Sequence, residues 1–224
     1  MLTHFEIGRI AGIPIYLDMM FVLVLLLFTY PYFTSANTQM MSAGFIIVIG
    51  LLLSILLHEL GHAFAGRLFN ARVSHIDLTG IGGVAHFERS LPGSAFARTV
   101  IYLAGPAVNL GLWLGLGRLA GELFQGNSPM VGLPLAVLAR ANFYLLVFNL
   151  LPAYPLDGGR TLDAILGAVL GPVWSVRIVA TLGLVVAAGV ALYALPTGFF
   201  MLLIAFFLAQ ANWEALQSIG GWRR

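Results

Sequence analysis

Long apolar runs separated by short polar breaks dominate this chain. A run of about 20 apolar residues is enough to cross a bilayer as a helix. Six runs meet that description, predicting spans at about residues 14–33, 40–68, 95–117, 131–151, 173–195 and 198–213. Pro31 lies near the end of the first, where it is tolerated, and Pro106 is expected to kink the third. Residues 1–16 have the pattern of a short amphipathic surface segment or strand and do not read as a cleaved signal peptide. Residues 73–88 differ from everything around them. Val73, His75, Asp77 and Thr79 alternate with Ser74, Ile76 and Leu78, followed by Gly80-Ile81-Gly82-Gly83 and a second short run. That pattern predicts a β-hairpin. It is either a plain surface hairpin or an edge strand able to pair with an extended peptide. The predicted fold is an all-α polytopic membrane protein of one domain, residues 1–224. It has six transmembrane helices and a small membrane-associated β-hairpin after the second.

Composition strengthens the membrane assignment. Hydrophobic residues make up 60% of the 224 and charged residues 9%, against roughly a quarter charged in a soluble domain. There is no cysteine, which excludes disulfides, thiolate ligands and a cysteine nucleophile. All 11 basic residues are arginine, and no basic run long enough for nucleic acid is present. The arginines read as topology determinants. Arg67, Arg72, Arg89 and Arg98 follow the second span, Arg160 and Arg177 follow the fourth, and Arg223 and Arg224 end the chain. The breaks after spans one and five carry none, and Arg118 is the exception on that side. By the positive-inside rule both termini are expected in the cytoplasm.

Chemistry enters with His58-Glu59-Leu60-Gly61-His62, inside the second run. On a helix His58 and His62 lie on one face and can point at one metal, while Glu59 can reach a water beside it. This is the zinc-hydrolase arrangement His-Glu-x-x-His. Ionisable groups are costly in hydrocarbon, so their presence there points to function; the alternative is a pair of hydrogen-bonded histidines at a helix interface. A catalytic zinc usually takes a third protein ligand. His75, Asp77, His86, Glu88, Asp157 and Asp163 are the candidates, and Asp157 is the best placed of them. It sits after the fourth span in a stretch broken by two prolines and two glycines; its alternative role is to cap the helix that begins near Gly159. Glu59 is the expected general base, and Asn149 the expected hydrogen-bond donor to the developing oxyanion, with Asn109 the weaker candidate. Arg140 and Asn142 read as a structural polar pair within span four.

Three stretches together carry a resemblance. They are His58-Glu59-Leu60-Gly61-His62, Ala104-Gly105-Pro106-Ala107-Val108-Asn109, and Asn149-Leu150-Leu151-Pro152-Ala153-Tyr154-Pro155-Leu156-Asp157-Gly158-Gly159. In order, spacing and span placement the chain resembles the site-2 protease family of intramembrane zinc metalloproteases. The resemblance implies one zinc ion held by His58, His62 and Asp157 below the cytoplasmic surface. It implies cleavage of a single-span membrane protein, often one that tethers a transcription regulator, and it gives the hairpin a role in substrate contact. Many members carry an inserted PDZ domain or C-terminal CBS domains; the compact form without either is expected here. The expected location is the plasma membrane of a prokaryote, with the active-site opening on the cytoplasmic side and no nucleic-acid partner. Two other readings compete: a non-proteolytic binding or chaperone-like membrane module that keeps the fold, and a divalent-metal transporter. An intact Glu59 argues against the first, and ligands converging on one place argue against the second.

Overall fold

The computed structural model describes residues 4–35, 37–80, 82–88, 91–195 and 199–220. Arg89, Arg223 and Arg224, on which part of the topology argument rests, lie outside them. In chain order the elements are β1 (His4–Ile10), β2 (Ile13–Asp18), α1 (Met19–Phe33), α2 (Thr38–Leu68), β3 (Val73–Thr79), β4 (Gly82–Phe87), α3 (Ala95–Gln125), α4 (Pro129–Asn149), α5 (Asp157–Leu170), α6 (Pro172–Ala194) and α7 (Phe199–Gly220). Five of these helices, α2, α3, α4, α6 and α7, are long and apolar enough to cross a membrane, and α1 is a shorter apolar helix. The polytopic helical architecture is therefore present, together with a small sheet.

The elements differ from the sequence expectation in four places. The first helix begins at Met19 instead of near residue 14, because Ile13–Asp18 is strand β2. Asp18 closes that strand and caps α1, its carboxylate accepting from the Met20 N–H at 3.0 Å. The hairpin forms, but as half of a four-stranded sheet in the order β1-β2-β3-β4, with β2 and β3 parallel and both outer pairs antiparallel. Helix α3 runs to Gln125, past the loop expected from Gly117; Ala120 is buried, and the Arg118–Glu122 pair at 3.0 Å supports the extra turns. Finally, α7 continues to Gly220, past the end expected near residue 213; the helix expected near Gly159 forms as α5.

The chain divides into two compact units, residues 1–91 with 104–146, and residues 92–103 with 147–224. The core of the first is a layer of sheet on helix. Ile13 and Ile15 of β2 and Val73, Ile76 and Leu78 of β3 point inward onto Phe21 and Leu25 of α1 and Leu56, Leu60 and Ala63 of α2. Period-2 burial on the strands meets an i, i+4, i+7 stripe on α2, which fixes how that helix is rotated. The end of α2 is closed by the Ala71 N–H donating to the Gly66 carbonyl at 2.9 Å, with Asn70 in the left-handed conformation.

In the second unit, α5, α6 and α7 pack in sequence, and the turn before α5 is drawn tight. A Cβ at Gly158 would run into the Leu150 and Leu151 carbonyls, and one at Gly159 into the backbone of Ala153. Glycine at both positions lets residues 150–156 fold onto the first turn of α5. Asn212 of α7 holds that loop from the other side: its Oδ1 accepts from the Tyr154 N–H at 3.0 Å and its Nδ2 donates to the Tyr154 carbonyl at 2.8 Å. The Tyr154–Pro155 peptide bond is cis.

Candidate metal centre

The rotation of α2 decides what His58, Glu59 and His62 face. With Leu56, Leu60 and Ala63 committed to the sheet, the 3.6-residue period turns His58 and His62 towards α3 and α4. All three motif residues are buried, at 6%, 5% and 7% exposure. Small residues make room for them. A Cβ at Gly61 would lie 2.8 Å from the Ala104 carbonyl oxygen, so α2 and α3 meet backbone to backbone there. A Cβ at Gly105 would overlap the His62 ring and come within 2.7 Å of His58 Nε2. The backbone of α3 thus passes directly over the two imidazole nitrogens.

A chain of polar groups sets the tautomer of His58. Ser54 Oγ donates to the Gly50 carbonyl at 2.7 Å and accepts from Asn142 Nδ2 at 2.9 Å. The same Nδ2 donates to the Leu138 carbonyl at 2.9 Å. Asn142 Oδ1 accepts from Asn109 Nδ2 at 2.8 Å, and Asn109 Oδ1 lies 2.5 Å from His58 Nδ1. The carbonyls at the far end can only accept, so every amide in the relay has one orientation. It follows that His58 Nδ1 carries the proton, leaving a lone pair on Nε2. His58 Nε2 lies 3.1 Å from His62 Nε2. Two ligands at 2.0–2.1 Å from a tetrahedral metal are about 3.3 Å apart, so the nitrogen pair has a spacing that could hold a zinc ion.

Glu59 lies against the sheet, beside the histidine-bearing face of α2. A Cβ at Gly83 of β4 would overlap the Glu59 side chain, coming within 2.6 Å of Oε1. The sheet backbone therefore backs the carboxylate directly, and glycine at that position permits the approach.

The other sequence candidates fall in several places. Asn109, the weaker oxyanion candidate, has both ends of its amide engaged, by His58 and by Asn142. Asn142 does not pair with Arg140: two residues apart on a helix they face different ways, Asn142 buried and Arg140 exposed. His75, Asp77 and His86 cluster with one another on the hairpin. In the second unit, Asp163 is bonded by Ser175 Oγ, which reaches its Oδ1 at 2.5 Å and its carbonyl at 2.8 Å, joining α5 to α6. Asp157 is the first residue of α5 and is 8% exposed. It is not that helix's cap, a position held by Leu156 without a side-chain bond. Asn149 is the half-buried last residue of α4. Ser54, Gly105 and the Asn109–Asn142 link were not singled out from the sequence as parts of the site. The available signal was that an asparagine in an apolar run must find a partner.

Known proteins resemble the chain over much of its length. The peptidase family M50 model matches residues 46–126 and 124–194. The putative zinc metalloprotease sll0528 of Synechocystis sp. is 34% identical over 179 residues, covering 75% of this chain and 46% of that protein. The zinc metalloprotease MJ0392 of Methanocaldococcus jannaschii is 35% identical over 176 residues, covering 78% of this chain and 49% of that protein. The chain therefore spans about half the length of these sequence relatives. Among solved structures, the site-2 protease from Methanocaldococcus jannaschii superposes with a TM-score of 0.68 at 28% identity, covering 96% of this chain and 95% of that one.

Proposed function

The chain belongs to peptidase family M50, and from that premise we propose that it is an intramembrane zinc metalloprotease hydrolysing a peptide bond within or near the transmembrane segment of a membrane-tethered protein. It is an integral, multi-pass membrane protein, so its surroundings are the lipid bilayer. The observation that carries the reading is the histidine pair. His58 is held as the Nδ1–H tautomer, its Nε2 3.1 Å from that of His62, with buried Glu59 one residue on.

Zinc, when bound, would polarise the scissile carbonyl and make the attacking water more acidic. His58 and His62 would hold it, with Asp157 as its third ligand on this reading. The support for Asp157 is its burial, its place at a helix N-terminus and its match to the family's motif. Glu59 takes a proton from the attacking water as the C–O bond forms, and returns it to the amine nitrogen as the C–N bond breaks. Asn149 offers its side-chain amide to the oxyanion that develops between these steps. Strand β4 is one of the two edges of the sheet and lies against Glu59, so a substrate unwound into an extended strand can add there through main-chain hydrogen bonds. The site opens to the cytoplasm on this reading, since Arg67, Arg72, Arg98, Arg160 and Arg177 gather at the corresponding loops. A single-span protein tethering a transcription regulator is the substrate class that fits.

The test is co-expression of a single-span substrate with wild type and with Glu59→Gln. Wild type is expected to cut it. Glu59→Gln is expected to retain its zinc while losing about 10²–10⁴-fold in rate. Equal cutting by both would remove Glu59 from the mechanism. Absence of cutting by wild type with intact zinc binding would favour the non-proteolytic module.

A further inference from the structure

The hairpin carries a second set of metal donors, remote in role from the peptidase motif. His75 and Asp77 of β3 and His86 of β4 project from the outer face of the sheet, opposite the face packed on α1 and α2. Their ligand atoms all lie within 4.8 Å of one another. His86 is the cross-strand partner of His75, and Asp77 is diagonal to it. Asp77 Oδ2 is 3.1 Å from His86 Nε2 and 3.5 Å from His75 Nε2. Side-chain exposures of 34%, 19% and 45% leave the group accessible to ions in solution.

Ser74 settles the state of His75. Its hydroxyl donates to the His86 carbonyl at 3.0 Å, so its one proton is spent there. It therefore accepts from His75 Nδ1 at 2.9 Å. Neutral His75 then carries its proton on Nδ1 and turns a lone pair on Nε2 towards a carboxylate oxygen. Lone pair facing carboxylate is repulsive unless a cation lies between them. A shared proton would draw the pair to the 2.7–2.9 Å of a charge-assisted hydrogen bond. The 3.5 Å between His75 Nε2 and Asp77 exceeds that range, while His86 Nε2 at 3.1 Å lies within reach of an ordinary N–H···O bond; together the two separations bracket the roughly 3.3 Å between ligands on a tetrahedral zinc. The Ser74–His75 bond is also the outer support that metal-binding histidines use.

We propose that His75, Asp77 and His86 form a second divalent-cation site, of the two-imidazole, one-carboxylate type that zinc favours, with its fourth position open to water. The two imidazoles stack at 4.4 Å with planes 12° apart. Their lone pairs thus run in parallel planes, and one ring must turn for both to reach one ion. His86 is the ring that turns, being the more exposed, while Ser74 pins His75. The bound ion staples β3 to β4 three residues from Gly83, whose backbone abuts Glu59. The site would therefore stiffen the strand that backs the catalytic carboxylate.

The test uses the full-length protein in detergent, stripped with a chelator, titrated with Zn²⁺ alone and assayed for bound metal per chain. A His75→Ala/His86→Ala variant should hold one ion fewer than wild type. A His58→Ala/His62→Ala variant should keep that hairpin ion, and in this background Asp77→Asn should weaken it by about tenfold or more. Co²⁺ supplied to the same background should give the intense visible bands of a tetrahedral site, and these should vanish with His86→Gln, a substitution that preserves the strand. Equal metal content in wild type and His75→Ala/His86→Ala would overturn the proposal. So would an absence of bound Zn²⁺ in His58→Ala/His62→Ala chains whose thermal unfolding matches wild type.

Discussion

His58 depends on groups that never touch a metal. Asn109 receives its Nδ1 proton, Asn142 orients Asn109, and two backbone carbonyls orient Asn142. Replacing Asn109 by Ala leaves the tautomer unset and a buried N–H without its acceptor. Zinc affinity is expected to fall by about 10–100-fold, measured by competition with a chromogenic chelator. Gly105 is constrained differently, by space. A methyl group there overlaps the His62 ring, so Gly105→Ala is expected to abolish stoichiometric zinc binding. Gly111 on the same helix has open space around its Cβ position. Gly111→Ala is therefore the control, expected to bind zinc as wild type does.

Elements are held where single polar side chains tie irregular backbone to a helix. The loop 150–156 carries Asp157 at its exit, and Asn212 pairs with both the N–H and the carbonyl of Tyr154. In apolar surroundings those backbone groups have no water to replace the amide. Asn212→Ala is expected to destabilise the protein by about 1–3 kcal/mol in a detergent unfolding titration. If Asp157 is a zinc ligand, the same variant also loses zinc affinity. Gly183 belongs to the same arrangement, since a Cβ there would overlap the Asn212 amide. The sheet is tied to α2 in a comparable way, by Arg67 donating to the Ala11 carbonyl at 2.6 Å.

For the whole molecule, the membrane sets the terms. Large apolar side chains such as Leu27, Phe45, Val185 and Phe206 stand exposed on their helices, as lipid-facing residues do. Because the chain has no cysteine, orientation is directly measurable. Gln39→Cys, after α1, is expected to react with a membrane-impermeant thiol reagent in intact cells. Gly93→Cys, before α3, is expected to react only after the membrane is opened. The reverse pattern would invert the topology. Chelation by 1,10-phenanthroline is expected to stop substrate cleavage, and added Zn²⁺ to restore it.

What the sequence determined by itself was local. Runs of about 20 apolar residues imply spans, a glycine-broken alternation implies a hairpin, and His58, Glu59 and His62 at helical spacing imply a shared metal face, because these follow from a chain's own periodicity. Chemistry and placement along the chain also offer Asp157 and Asn149 as candidates, and the family resemblance makes Asp157 the expected third ligand. Tertiary structure decided what joins positions far apart. The sequence reads residues 1–16 as a surface segment or strand and begins the first span at 14, whereas β2 (Ile13–Asp18) pairs in parallel with β3 some 60 residues later. Asn109 is 51 positions from the histidine it orients, and Asn142 is 88 from Ser54. A buried amide must find a partner, but its own sequence does not say which one. That choice is made only when the helices pack and water is excluded from between them.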